Sequence, residues 1–260
     1  MLLENKIAIV YGAGGGIGGG VARTFAREGA RVFLAGRTRK TLEAVAADIK
    51  AAGGAAEVAV VDALDEESVE KHANDVVSKA GRIDVSFNLI TRGDVQGRPL
   101  VEMTPDELLR AVDNGLRSSF LTARAAARSM IKQGSGVILH LNSASGDGAQ
   151  PGMGSTGPAD AATESFMRYL AAELGPHGIR VCGIWTAGVA ETLTQEKLAE
   201  VAGENAPPVE AALAGIAAGA ALRRTPRLAD VADAAAFLAS DRASGITAAM
   251  LNVTSGLVLR

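Results

Sequence analysis

The sequence predicts one α/β domain built on a doubly wound parallel sheet of about seven strands, with helices on both faces. Short apolar runs alternate with longer amphipathic or alanine-rich stretches along the whole chain, a pattern typical of parallel β-α-β units. No internal repeat or low-complexity linker divides the 260 residues. With 48% hydrophobic residues, the chain can bury a core large enough for a single domain over 1–260.

The first third of the chain supplies four strands and three helices. The apolar runs predict buried strands at residues 7–10, 31–35, 57–61 and 83–89. The helical patterns between them cover residues 17–28, 41–52 and 68–80, and glycines close each of these stretches. His72 lies in the third helix, and we interpret it as a surface residue rather than a ligand.

A clear helix start follows at Thr104-Pro105-Asp106-Glu107, where the threonine serves as N-cap and Glu107 completes a capping box. The predicted helix runs to about residue 132. Further strands are predicted at 136–141, 180–184 and 250–253, and further helices at 159–174 and 228–239.

Residues 190–224 contain two alanine-rich helical stretches separated by a pair of prolines. A long insertion after a strand end is typical of a lid over a ligand site. The alternative is a docked helical pair that does not move.

Composition excludes several classes of function. A net charge of −3 and the lack of a basic run argue against a nucleic-acid partner. Cys182 is the one cysteine, and no Cys/His cluster has the spacing of a metal site, so no metal is expected. Acidic Glu4 and the short apolar run before the first glycines fit neither a signal peptide nor a membrane span. A cytoplasmic protein without membrane attachment is expected.

A glycine-rich turn between the first strand and the first helix is the clearest functional signal. Gly12 can adopt a tight turn, Gly16 can let the backbone approach a pyrophosphate, and Gly18 can let helix and strand pack closely. The helix that opens at Ile17 would direct free N–H groups and its positive dipole end toward the phosphates. The turn therefore predicts a dinucleotide site in a Rossmann-like domain.

Arg37 follows the second strand, where a Rossmann-like unit meets the adenosine ribose. An acidic residue at this point binds the 2′-hydroxyl, whereas an arginine accommodates a 2′-phosphate. Arg37 therefore favours NADP(H) over NAD(H). The alternative is a solvated arginine at a strand end.

Together these motifs resemble the short-chain dehydrogenase/reductase family over about residues 6–256. The resemblance implies that Gly12, Gly16, Ile17 and Gly18 form the cofactor loop and that Asp62 and Ala63 contact the adenine. It places Asn88 at the end of the fourth strand and Val189 beside the nicotinamide. Asn114 and Ser143 match the catalytic asparagine and serine, and the family implies a homodimer or homotetramer acting on a small molecule.

The resemblance breaks at the family's Tyr-x-x-x-Lys pair. Thirteen residues after Ser143 the chain has Thr156, and four residues later it has Asp160. No shift of register restores the pair, because the chain's tyrosines are Tyr11 and Tyr169 and no lysine lies between residues 132 and 197. The candidate catalytic residues are therefore Ser143, Asn114, Thr156 and Asp160.

Thr156 and Asp160, in place of the family's tyrosine and lysine, leave the site without the family's usual general acid. A phenol titrates near 10 and can be tuned by a cation, whereas an alcohol such as Thr156 is a far weaker acid and Asp160 opposes its ionisation. General acid–base assistance is worth ~10²–10⁴-fold, so ordinary carbonyl reduction should be severely weakened. Trp185, after the sixth strand, is either a stacking wall of the site or a core residue.

Three hypotheses remain open. The first is an NADP(H)-dependent oxidoreductase of non-standard mechanism, acting on a carbonyl, enone or imine. The second is a lyase, isomerase or cyclase on the same scaffold with Asp160 as base. The third is a catalytically silent nucleotide-binding protein.

Overall fold

A computed structural model describes residues 1–146 and 148–259 and contains one seven-stranded sheet in the order β3-β2-β1-β4-β5-β6-β7, with all neighbouring strands parallel. The strands are β1 Ile7–Tyr11, β2 Arg31–Gly36, β3 Ala55–Val60, β4 Val85–Asn88, β5 Gly136–Ser143, β6 Ile179–Thr186 and β7 Met250–Val253. The predicted fold class is confirmed.

The helices lie where the sequence pattern predicts them, with ends shifted by a few residues. They are α1 Gly16–Arg27, α2 Arg39–Ala51, α3 Glu66–Ala80, α4 Pro105–Gln133, α5 Thr156–Leu174, α6 Gln195–Ala202, α7 Val209–Gly219 and α8 Leu228–Ala239. In the described ranges, none of them combines the length and apolar character that crossing a membrane requires.

The alternation of side chains along β1 divides the interior into two cores. Ala8 and Val10 face the core that α1, α2 and α8 cover, and Ile9 and Tyr11 face the core that α3, α4 and α5 cover. Since successive strand residues point to opposite faces, a strand buried on both faces is a continuous apolar run. This explains why the strands could be read directly from the sequence.

A crevice opens where the chain reverses its direction of winding. β1 pairs with β2 on one side and with β4 on the other, so the connections that follow β1 and β4 diverge at the carboxyl edge. Ligands bind to open α/β sheets at such a switch point.

The capping box predicted at the start of α4 is confirmed. Thr104 Oγ1 accepts a hydrogen bond from Glu107 N–H at 3.3 Å, and Glu107 Oε2 accepts one from Thr104 N–H at 2.9 Å. The two bonds satisfy donors that a helix start otherwise leaves unpaired.

The surface position expected for His72 is wrong. His72 is 5% exposed, and its ring meets that of Tyr11 edge-on with centroids 5.8 Å apart. Val69, His72, Ala73 and Val76 share the buried face of α3, and this i, i+3, i+4, i+7 spacing is the signal that identifies the residue as internal.

Candidate active site

A cleft of about 660 Å³ occupies the crevice at the switch point. Its walls come from the turn after β1, the ends of β2 and β3, and the segment that follows β4. Among the predicted residues, those that line it are Gly12, Arg37, Asp62, Ala63 and Asn114.

The glycine turn at one end of the cleft fits a pyrophosphate. Gly12 has a φ of +77°, which favours glycine, and a Cβ at Gly18 would overlap the carbonyl oxygen of Gly12. The N-cap of α1 is Gly15, which offers no side chain to the helix N–H groups, and the first turn carries no acidic residue. These N–H groups are therefore available to an anionic ligand.

Gly16 is close to protein atoms that follow β6. A Cβ at this position would lie 2.8 Å from Cβ of Thr192 and 3.4 Å from Nζ of Lys197. Lys197 donates a hydrogen bond to the carbonyl oxygen of Thr192 at 2.8 Å. Glycine at residue 16 thus lets the segment after β6 approach the turn.

At the end of the cleft formed by β2 and β3, Arg37 and Asp62 are exposed and Ala63 is buried. In the part of the chain that the structure describes, Arg37 has no carboxylate within salt-bridge distance. Asp62 Oδ1 accepts a hydrogen bond from Leu64 N–H at 3.0 Å, which fixes the turn after β3. The guanidinium of Arg37 is therefore available to an anionic group.

Five residues predicted to bind cofactor do not line the cleft: Gly16 and Gly18 of the glycine turn, and Ile17, Asn88 and Val189. Ile17 packs against the core beneath α1, and Val189 is buried in the same core. Asn88 is buried, and its amide donates to Ser118 Oγ at 3.1 Å while its Oδ1 accepts from Ile90 N–H at 3.2 Å. Its contacts therefore hold the segment after β4.

Ser143 and Asp160 form the centre of a polar network at the carboxyl edge. Ser143 is the last residue of β5, and its Oγ lies 2.5 Å from Oδ2 of Asp160, one turn into α5. The other carboxyl oxygen, Oδ1, accepts a hydrogen bond from Arg92 Nη1 at 2.7 Å. Arg92 also pairs with Asp94 at 2.7 Å, so one guanidinium bridges two carboxylates.

Burial dominates the electrostatics of Asp160. Its side chain is fully buried, which raises its pKa to about 6, although the Arg92 cation and the Ser143 hydrogen bond act in the opposite direction. Asp94 adds to the rise through its negative charge. A carboxyl group that titrates near neutrality can exchange a proton with a substrate.

The other two candidate catalytic residues contact the same segment after β4. Thr156 is buried, and its Oγ1 accepts a hydrogen bond from Gln96 Nε2 at 2.9 Å. Asn114 donates from Nδ2 to the carbonyl oxygen of Arg92 at 2.9 Å. The structure thus brings Ser143 and Asp160 into direct contact and joins Thr156 and Asn114 to them through the segment after β4 that carries Arg92 and Gln96.

The comparisons with known proteins agree with this architecture. The family described as Enoyl-(Acyl carrier protein) reductase matches residues 12–258. The 3-oxoacyl-[acyl-carrier-protein] reductase FabG of Thermotoga maritima is 30% identical over 259 residues, which is 100% of both chains. The chain belongs to the short-chain dehydrogenase/reductase family.

Other members of this family are similar along their whole length. L-Rhamnose 1-dehydrogenase (NAD(P)(+)) of Azotobacter vinelandii is 32% identical over 262 residues, which is 99% of this chain and 98% of the relative. The crystal structure of NAD+-bound xylitol dehydrogenase has a TM-score of 0.87 at 26% identity and covers 98% of this chain and 100% of that one. These relatives are oxidoreductases.

Sequence reasoning missed Arg92, Asp94 and Gln96, the three side chains that the segment after β4 contributes. A sequence signal for this segment existed, because residues 89–91 depart from the Asn-Ala-Gly sequence that usually follows the fourth strand in this family. An aspartate at residue 160 also calls for a cation, since a buried carboxylate needs a partner. The identity of that cation could not be predicted, because Arg92 and Asp160 are 68 residues apart in the sequence.

Trp185 is a core residue with a polar partner. It is 7% exposed, and its Nε1 donates to Glu164 Oε1 at 2.7 Å. Asn142 Nδ2 lies 3.5 Å from the same oxygen and 3.2 Å from the carbonyl oxygen of Asp160. The network around Asp160 thus extends to a second buried carboxyl group on α5.

Proposed function

We propose that this chain is an NADP(H)-dependent oxidoreductase in which Ser143, backed by Asp160, contacts the reacting C=O or C=N group of the substrate. In this proposal Thr156 and Asp160 stand where the family has its tyrosine and lysine. The observation that carries it is the 2.5 Å contact between Ser143 Oγ and the fully buried carboxyl group of Asp160, whose ion-pair partner Arg92 lines a cleft suited to a dinucleotide. The substrate is a small carbonyl, enone or imine compound.

The cofactor assignment rests on the cleft. The uncapped start of α1 and the turn at Gly12 suit a pyrophosphate, and Arg37 suits a 2′-phosphate. Asp62 and Ala63 line the same cleft, where they would contact the adenine. When bound, the reduced dinucleotide supplies hydride to the substrate.

The proton path follows the hydrogen bonds. In reduction of a carbonyl or enone, the Ser143 hydroxyl donates its proton to the substrate and regains one from Oδ2 of protonated Asp160. Arg92 Nη1, 2.7 Å from Oδ1, then stabilises the carboxylate that remains. Oxidation uses the same path in reverse. Thr156, held by Gln96, and Asn114, held against the Arg92 carbonyl, keep the surrounding backbone in place.

Residues 190–224 are the lid of this site in the proposal. Glu200 of α6 lines the cleft, and Val201 accepts a hydrogen bond from Gln96 N–H at 2.6 Å. Residues 190–224 therefore contact both the dinucleotide cleft and the segment after β4 that carries Arg92 and Gln96. These contacts support a lid that closes over bound ligands.

A binding titration with NADPH and NADH is the first test, with Arg37→Asp as the paired variant. NADPH should bind in the micromolar range, and Arg37→Asp should weaken NADPH about tenfold or more while changing NADH little, because the charge-assisted contact to the 2′-phosphate is lost. Absence of binding by either dinucleotide would overturn the cofactor assignment.

The second test measures cofactor consumption over a panel of ketones, enones and imines. Asp160→Asn should lower the rate by about 10²-fold or more, the scale of general acid–base assistance. Glu173→Gln, an exposed residue of the same helix, makes the same change in charge and should not affect the rate. Substrate conversion that needs no dinucleotide and disappears in Asp160→Asn would instead establish a lyase or isomerase.

A further inference from the structure

The hydrogen bonds of Ser143 determine what kind of ligand atom can meet it. Its single hydroxyl proton has two acceptors within reach, Asp160 Oδ2 at 2.5 Å and Ser145 Oγ at 2.9 Å. A carboxylate is the stronger acceptor, so with Asp160 ionised this proton is directed into the protein. Ser145 N–H donates to Ser143 Oγ at 3.2 Å, which leaves one lone pair for a ligand.

The serine therefore presents an acceptor to a ligand. The Ser145 hydroxyl can donate into the remaining lone pair while no ligand is present, but a charged N–H group is the stronger donor and displaces it. Ser143 is partly exposed, whereas Asp160 behind it is fully buried.

The charges around Ser143 favour a cation. Two carboxylates, Asp94 and Asp160, share the single guanidinium of Arg92, so the group carries a net charge of −1 when both are ionised. Glu164 adds a further buried carboxyl group, joined to the backbone of Asp160 through Asn142. A positive ligand in this poorly solvated place gains Coulomb energy, and a developing alkoxide loses it.

We propose that the substrate is a C=N compound, bound as its iminium cation with the N–H group donating to Ser143 Oγ. This inference rests on the proposed function and names its substrate class. An iminium ion already carries the proton that a carbonyl would have to receive, so the reaction does not require a tyrosine-like acid. The same acceptor and the same negative charge oppose a ketone, whose oxygen is itself an acceptor.

Unlike reduction of a carbonyl or enone, in which Ser143 would give up its proton, reduction of an iminium ion balances without a proton donor in the protein. Hydride from a reduced nicotinamide dinucleotide adds to the iminium carbon, and the π electron pair of the C=N bond moves onto nitrogen. The nitrogen keeps its proton, which gives a neutral amine and the oxidised dinucleotide. In this reaction Asp160 acts through Ser143 as a positioning residue, and Ser143 is the group that touches the substrate.

A binding experiment tests the inference independently of turnover. Two compounds of the same bicyclic size are titrated by calorimetry into the full-length protein with saturating NADP+. Tetrahydroisoquinoline is a protonated amine between pH 5 and 8, and 2-tetralol is a neutral alcohol. At pH 8 the amine should bind at least about tenfold more tightly, the scale of one charge-assisted hydrogen bond. Equal binding, or a preference for the alcohol, would overturn the inference.

Two variants identify the atoms responsible. Asp160→Asn, which removes a negative charge, and Ser143→Ala, which removes the acceptor, should each lower the preference for the amine, and Glu173→Gln should keep it. Ser143→Ala leaves the Arg92–Asp160 ion pair intact, so it remains informative if Asp160→Asn fails to fold. An undiminished preference in folded Ser143→Ala protein would contradict the assignment.

The pH dependence of amine binding gives a readout that a purely structural role would not produce. Asp160 faces Arg92 and Asp94 from the segment after β4, Ser143 from β5 and, through Asn142, Glu164 of α5. Binding of the amine should strengthen as the pH rises from 5 to 8, because Asp160 then accepts the Ser143 proton. An affinity that does not change with pH would contradict this.

Turnover separates failure of the inference from failure of the proposed function. With saturating NADPH, 3,4-dihydroisoquinoline should be reduced at least about 10²-fold faster than 1-tetralone. If NADPH binds and the ketone is reduced as fast as the imine, the substrate class is wrong and the oxidoreductase remains. If no dinucleotide binds, the proposed function itself fails.

Discussion

Asp160 has no exposed side-chain surface, yet both of its carboxyl oxygens have a partner. Burying an unpaired carboxylate would cost several kcal/mol, and removing one member of a buried pair costs about 3–5 kcal/mol. Arg92 is therefore needed to stabilise the ionised form of Asp160 at this buried position. The two residues therefore have to be interpreted together, as one buried ion pair.

Substitutions of Arg92 and Asp94 should move the pKa of Asp160 in opposite directions. Arg92→Met removes the cation that lowers this pKa, so the midpoint should rise above about 6 by one to three units. Asp94→Asn removes a negative charge that raises it and leaves Arg92 paired with Asp160 alone, so the midpoint should fall. The pH profile of amine binding or of turnover measures both.

Arg117→Met is the matched control for Arg92→Met, because Arg117 is an exposed arginine on α4 that pairs with Asp113 one turn away. It should leave the midpoint unchanged. Shifts of the same sign in the Arg92 and Asp94 variants would show that the profile does not report Asp160.

At the scale of elements, the segment between β4 and α4 connects three parts of the site. Val95 N–H donates to Ser155 Oγ at 2.9 Å, and Gly97 N–H donates to the carbonyl oxygen of Gly152 at 2.8 Å. Gln96 N–H reaches Val201 of α6. The segment thus ties the start of α5 to the proposed lid while its side chains hold Thr156 and Asp160.

The start of α4 provides a test of helix stability near the site. Thr104→Ala removes the N-cap acceptor and should lower the free energy of unfolding by about 1 kcal/mol, measured by urea denaturation. Thr194→Ala, the corresponding change at the N-cap of the shorter α6, should have a smaller effect because α6 has no buried residues and adds little to the core. A larger loss at Thr194 would contradict this.

The proposed lid can be tested by limited proteolysis. The connection between α6 and α7 contains Pro207 and Pro208 and has exposed backbone, so cleavage is expected near residues 203–208. Saturating NADPH should slow this cleavage at least severalfold if residues 190–224 close over bound cofactor. An unchanged cleavage rate would favour a fixed helical pair.

At the scale of the whole molecule, buried histidines make stability depend on pH. His72 and His140 are almost fully buried, and burial lowers the pKa of each to about 4. Because the unfolded residues titrate near 6.5, the unfolded state binds more protons between pH 6.5 and 4. The free energy of unfolding should therefore fall by about 2 kcal/mol per histidine from pH 7 to 5.

Asp160 opposes this effect. Its folded pKa of about 6 lies above the unfolded value, so it stabilises the folded state by about 1 kcal/mol over the same pH interval. The net result is lower stability at pH 5, measured by denaturant titration at both pH values. His72→Leu should reduce the pH dependence, and His177→Leu, at an exposed position, should not.

The family resemblance predicts a homodimer or homotetramer. Phe120 of α4 is 45% exposed and meets Phe166 of α5 edge-on, and Tyr169 of α5 is 72% exposed. Exposed aromatic side chains of this kind are typical of contact surfaces. Light scattering after size-exclusion chromatography should give a dimer or tetramer mass, and Phe120→Glu with Tyr169→Glu should shift it toward the monomer. A monomer mass for the unmodified protein would contradict the prediction.

The sequence by itself determined the order of strands and helices, the glycine turn and the capping box at Thr104. These features are local, because the apolar period, glycine spacing and capping residues act within a few positions of the chain. Arg37 and Ser143 could be placed at strand ends for the same reason.

Only the tertiary structure decided which side chains meet at the site. Arg92 contacts Asp160 across 68 residues, and Gln96 contacts Thr156 across 60, because the sheet order brings the ends of β4 and β5 side by side. The same packing buries His72 and leaves Asn88 holding the segment after β4. Contacts between distant segments follow from packing of whole elements, which no local pattern encodes, and the charge balance around Ser143 follows from them.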